Sequence, residues 1–173
     1  LSLRRQRQMC IRDSFLTDPM AGDLPDFDNG DIRYAFARLY PDGPRRLVEG
    51  PVWDDERGLL YSDVLNGGVF VFSSEGEVSQ AVERRRGIGG MAAHADGGLI
   101  VGGRDIAWVG FNGEEPTPLL TSDVTPEAIG FNDLTTDAAG RIWAGTVAVR
   151  VFGDEKPRPG HLHVIDLDGS VRT

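Results

Sequence analysis

The chain has 173 residues, 40% apolar and 26% charged, with 23 glycines and a net charge of −9, which marks a globular chain rich in tight turns rather than a disordered one. The acidic balance lacks the basic footprint of a nucleic-acid binder, and no apolar run reaches the roughly 18 residues that a membrane helix needs, so neither nucleic acid nor membrane is expected as a partner. The lone Cys10 excludes an internal disulfide framework.

Residues 1–14 (LSLRRQRQMCIRDS) carry four Arg and one Asp and contrast with the acidic chain that follows. The stretch has no apolar core of the signal-peptide kind, so a cytoplasmic location is the expectation. It resembles the translation of a sequencing-library adapter; a natural disordered basic tail is the alternative. Residues 15–46 read as an irregular leader with one strand at Ile32–Tyr40 and a turn at Pro41-Asp42-Gly43. The acidic run Asp26–Asp31 has the look of a calcium loop but fails as an EF-hand. Its glycine is misplaced by one and its twelfth position is Ala37.

From Glu49 onward one hairpin recurs three times: EGPVWDDERGLLY at 49–61, GGMAAHADGGLIVGG at 89–103 and FNDLTTDAAGRIWAGT at 131–146. Each has two short runs of strand character broken by a polar turn. Aligning them sets Gly58, Gly97 and Gly140 in one column and Leu60, Leu99 and Ile142 in another, with steps of 39 and 43 residues. A second column recurs independently. A glycine stands four residues after the third strand of each unit: Phe72 to Gly76, Val109 to Gly113, Ile165 to Gly169. A period near 40 with only strand signals inside it predicts an all-β fold, a β-propeller of four-stranded blades.

The blades fall at about 47–88, 89–128 and 129–173, the last one incomplete. In the first, strands are expected at Gly50–Trp53, Leu59–Asp63, Val69–Phe72 and Val78–Val82. Three blades are too few to close a ring, so the chain reads as about three of an expected six. Trp53, Phe70, Phe72, Trp108 and Trp143 are the expected packing between blades. The third unit carries an insertion, Val147–Gly160, between its second and third strands, and such insertions map to loops on one face.

Five residues before the column Asp54/His94/Asp137 the units carry Glu49, Gly89 and Asn132. These positions open the innermost strands and so line one mouth of the central channel. A carboxylate and a carboxamide converging there are hard oxygen donors of the kind a divalent cation such as Ca²⁺ or Mg²⁺ takes. Hydrogen bonding at strand ends is the alternative. His161 and His163, two apart on a strand, lack an evident third ligand. His94 takes a structural place in the turn column, Arg84-Arg85-Arg86 reads as a solvated connection, and Asp133 carries no assignment. No G-x-S-x-G, P-loop or dinucleotide fingerprint is present.

Together, EGPVWDDERGLLYSDV, FNDLTTDAAGRIWAGT and GHLHVIDLDGSVRT resemble the senescence-marker-protein, gluconolactonase and luciferin-regenerating-enzyme family over about Leu47–Thr173. The resemblance implies the N-terminal half of a six-bladed propeller. It also implies one divalent cation, usually calcium (with Mg²⁺, Mn²⁺ or Zn²⁺ as other occupants), held at the channel mouth. Glu49 matches the family's metal-binding glutamate. Asn132 matches the asparagine that contacts the metal or the bound substrate. The implied remaining ligands and general base lie beyond Thr173, so no catalytic residue is expected in this chain and the fragment is expected to be inactive alone. Family members acting on sugar lactones often place an arginine two residues before the asparagine, where this chain has Gly130. The implied activity is hydrolysis of a small-molecule lactone or ester. A non-catalytic NHL-like scaffold and a calcium-dependent phosphoesterase are the competing readings.

Overall fold

The computed structural model describes residues 47–83, 85–150 and 154–173. The leader segments 1–14 and 15–46, with the Ile32–Tyr40 strand, lie outside the described residues, as do Arg84 and part of the insertion. Twelve strands form three separate antiparallel sheets of four, each in simple sequential order.

The first sheet contains β1 (Val48–Asp54), β2 (Gly58–Asp63), β3 (Val69–Phe72) and β4 (Val78–Val82). The second contains β5 (Met91–Ala93), β6 (Leu99–Val101), β7 (Ile106–Val109) and β8 (Thr117–Leu120). The third contains β9 (Gly130–Thr136), β10 (Ile142–Val147), β11 (Leu162–Ile165) and β12 (Val171–Arg172). Apart from strands, these residues hold one short 3-10 turn at Ser122–Val124. None of the described helices is long and apolar enough to cross a membrane.

A four-stranded sheet with apolar residues on both faces cannot hide either face alone. The middle sheet shows the solution. Along β6 side chains alternate, so Leu99 and Val101 pack with Val109 against Val52, Leu60, Val69 and Val71 of the first sheet. Ile100 points the other way and packs with Ile106 and Leu120 against Phe131, Ile142, Ala144 and Ile165 of the third. Each blade therefore buries its faces against its neighbours, and the first strands β1, β5 and β9 run side by side at the shared inner edge.

This core is mainly aliphatic, with Phe131 as its buried aromatic and Trp108 packed against its edge between the second and third sheets, so the expected role of the aromatics holds for Trp108 and fails for Trp53. Trp53 is 55% exposed, and its indole N–H donates to Asp55. Trp108 donates to the Gly97 carbonyl and Trp143 to the Asp137 carboxylate. Phe70 and Phe72 are only half-buried. An indole needs a partner for its N–H, and here the polar turns supply one, which holds Trp53 at the hairpin end while Trp108 still packs against the core of the second and third sheets.

The hairpin register also differs from the glycine alignment. Asp54 accepts backbone N–H bonds from Glu56 and Arg57, His94 Nδ1 accepts one from Asp96, and Asp137 accepts them from Ala139 and Arg141. These three caps define the true column, with steps of 40 and 43 residues. Leu59, not Leu60, then aligns with Leu99 and Ile142. The faces agree: Leu60 packs toward the second blade, as Ile100 packs toward the third. A slip of one residue reverses every side chain on a strand, so the caps are the better guide. The other turn column stands, with Gly76, Gly113 and Gly169 at φ of 83°, 80° and 82°, the left-handed region that glycine enters without steric cost.

The basic run is not wholly solvated. Arg85 is largely buried and pairs with the Asp105 carboxylate while also donating to its carbonyl at 3.2 Å, tying the connection between the first two blades to the second.

Candidate site at the blade openings

The first strands β1 and β9 share an irregularity that β5 lacks. Between Glu49 and Val52, and again between Phe131 and Leu134, the pairing register shifts, so that one extra residue bulges out of the strand. Met91–Ala93 pairs without such a shift. A bulge turns side chains away from their regular directions, a device common beside functional sites. It falls next to Glu49 in the first blade and at Asn132-Asp133 in the third.

Close glycine contacts bring these ends together. Gly50 lies against the Gly89 carbonyl and Met91. Gly89 in turn lies under the Asn132 side chain, where a Cβ would overlap Oδ1 and stand 2.9 Å from Cγ. The Asn132 carboxamide donates through Nδ2 to the Asp133 carboxylate at 3.4 Å. Glu49 is half-buried, and its backbone carbonyl is 3.0 Å from the hydroxyl of Ser62, which also reaches the Ile88 carbonyl at 2.6 Å. Ser62 is fully buried and so links the strand bearing Glu49 to the chain entering the second blade.

The electrostatics of the site are those of unneutralised acid. Burial, and then the negative charge of Asp133, raise the Glu49 pKa above its ordinary value. Among the described residues no ion pair reaches either carboxylate. The three side chains Glu49, Asn132 and Asp133 offer only oxygen acceptors and one amide donor. That donor set suits a hard cation in kind. Calcium takes about six to eight oxygens, so these residues would form part of a shell. The described residues hold no group of three His, Cys, Asp or Glu placed for a metal.

The histidines do something else. His163 is fully buried, lies edge-on to Phe131 at 5.9 Å and shares a hydrogen bond with the Thr173 hydroxyl at 2.9 Å through Nδ1. His161 is exposed, with its ring 6.3 Å away. Desolvation first, and the neighbouring His161 second, lower the His163 pKa.

Asp133, Gly89 and Ser62 are the contributors the sequence left without a role. Gly89 carried a signal, since it fills the column between an acid and an amide, yet a missing side chain reads as a missing function. Ser62 carried none, because its bonds go to backbone carbonyls far along the chain.

Three four-stranded blades, stacked face to face with their first strands together and a polar cluster at the openings of those strands, define a β-propeller chain. The chain belongs to the SMP-30/Gluconolactonase/LRE-like family, whose signature matches residues 47–173. It is 30% identical over 132 residues to the pentonolactonase XacC of Haloferax volcanii, covering 74% of this chain and 42% of that protein. It is 27% identical over 108 residues to regucalcin of Xenopus laevis, covering 61% of this chain and 36% of the other. A solved gluconolactonase of Xanthomonas campestris superposes with a TM-score of 0.61 at 21% identity, over 73% of this chain and 46% of that one. The chain thus spans about two fifths of the length of the curated relatives it matches.

Proposed function

We propose that this chain is the N-terminal part of a divalent-metal-dependent hydrolase that opens sugar lactones or related esters, with calcium as the cation. The observation that supports this reading most is the pair Glu49 and Asp133. Glu49 is made harder to ionise by burial and then by the charge of Asp133, and it has no basic partner among the described residues, a setting that a cation would relieve. The pentonolactonase and gluconolactonase relatives supply the substrate class by family membership.

In this reading Glu49 is a ligand rather than a base, because a carboxylate beside a bound cation stays ionised. Asn132 turns an oxygen toward the cation or toward a hydroxyl of the substrate. When bound, the cation would supply Lewis-acid polarisation of the ester carbonyl. The remaining ligands and the general base belong to the part of the protein that this chain does not contain. Gly130 stands where related lactonases often carry arginine, so their particular substrate preference is not carried over to this chain.

Calorimetry on the full-length protein tests the assignment. One calcium site per chain is expected, lost in Glu49→Ala, together with hydrolysis of an aldonolactone by the full-length protein and none by residues 47–173 alone. Calcium binding that survives Glu49→Ala would remove the metal assignment. Lactone turnover by the isolated segment would show that the reacting groups have been misplaced.

A further inference from the structure

The second blade contributes no donor to the cluster, and the reason is steric. Gly89 and Gly90 both lie close under β9, but they meet different things. A Cβ on Gly90 would strike the backbone of Asp133 and Leu134, so Gly90 serves the approach of two strands. A Cβ on Gly89 would strike the Asn132 side chain first, at Oδ1 and Cγ, with the Asn132 backbone next at 3.3 Å. The Gly89 φ is outside the left-handed region. Backbone conformation therefore does not demand glycine there, and the neighbouring amide does.

We infer that Gly89 is a positioning residue for Asn132: the second blade supplies a slot in place of a side chain, and Asn132 leans across it toward the first blade. Asp133 completes the device. A carboxylate only accepts hydrogen bonds, so it takes the Nδ2 side of the carboxamide and leaves Oδ1 as the free end lying over Gly89. The amide is thereby fixed at both ends, by a donor contact at one and by shape at the other. Its oxygen lies over Gly89, at the opening of the blade that stands between those of Asn132 and Glu49. This rests on the cation reading for its purpose but not for its geometry.

The test pairs two alanine variants. Gly89→Ala adds a methyl inside the slot. Gly145→Ala, opposite the same bulge on β10, adds one whose nearest neighbour is 3.9 Å away. In the 173-residue chain, the Asn132 side-chain amide resonances are expected to move and to exchange faster with solvent in Gly89→Ala, and to stay in place in Gly145→Ala. In the full-length protein, Gly89→Ala should weaken calcium binding by about 10- to 100-fold, the range seen when a support behind a ligand is removed. Unmoved Asn132 amide resonances in Gly89→Ala would overturn the inference whatever the calcium affinity. A displaced amide in a protein that binds no calcium at all would uphold the slot and remove only the cation reading.

Discussion

Asp133 acts on Glu49 from the opposite side of the second blade: after partial burial, its negative charge is what holds the Glu49 carboxyl above its ordinary range. The two acids open first strands separated by β5. They stand near enough across that strand for the charge of Asp133 to act on Glu49.

Neutralising Asp133 should therefore return Glu49 toward the ordinary glutamate range. A carboxylic acid whose folded pKa is raised costs stability once pH exceeds its unfolded value, and the cost is complete above the folded pKa. Asp133→Asn relieves part of that cost, leaving only the share due to burial. Titration of the Glu49 side-chain carboxyl carbon by NMR, in the wild type and in Asp133→Asn, measures the difference directly. An unchanged Glu49 titration would show that the acids do not share one space.

Ser62 makes a second prediction. Its hydroxyl is fully buried between the Glu49 and Ile88 carbonyls, and alanine removes the one O–H donor that the two oxygens share. A buried polar group stripped of its partner costs about 1–3 kcal/mol. Urea denaturation of Ser62→Ala should show a loss in that range with an unchanged slope. The same variant should disturb Glu49 more than it disturbs Asn132, since it touches only the first of the two strands.

His163 gives the pH dependence. Its folded pKa lies below the unfolded value because burial disfavours the imidazolium. The unfolded chain thus takes up the proton first, and stability falls as pH drops below about 6.5. The loss stops growing once pH passes the folded pKa. Thermal melts between about pH 7.5 and 5.5 should show this slope, and His163→Leu should flatten the part of it due to histidine. His161 is exposed, so His161→Gln should leave most of the slope in place.

How much of this was legible in the sequence follows from what each signal measures. Turn chemistry is local, and the offset from Phe72, Val109 and Ile165 to a left-handed glycine is met in all three blades. Strand limits in the first blade come within two residues of expectation. Register is less local: one glycine in the first hairpin sits a position later than its counterparts, and the slip carried Leu60 into the wrong column. Of the candidate site, the sequence showed Glu49 and Asn132 as oxygen-bearing side chains at matching positions of the first and third units. Gly89 meets the Asn132 side chain, and the charge of Asp133 acts on Glu49, only because the blades stack, so no spacing rule along the chain reveals these two relations.

Leu60 and Trp53 differ in what their side chains contribute to the contact between blades. Leu60 is fully buried between the first two blades, among Val52, Val69, Val71 and residues of β5, β6 and β7. Trp53 is more than half exposed and bonded to Asp55 in its own turn. Removing the leucine side chain deletes buried carbon and leaves a cavity between sheets, which costs about 2–5 kcal/mol. Truncating the tryptophan removes a side chain already in contact with water, and surface changes of that kind stay within about 0.5 kcal/mol. Leu60→Ala should thus lower the urea midpoint far more than Trp53→Ala, although tryptophan is much the larger side chain. The reverse order would mean that aromatic rings, and not the aliphatic rows of β2, β3 and β6, hold the blades together.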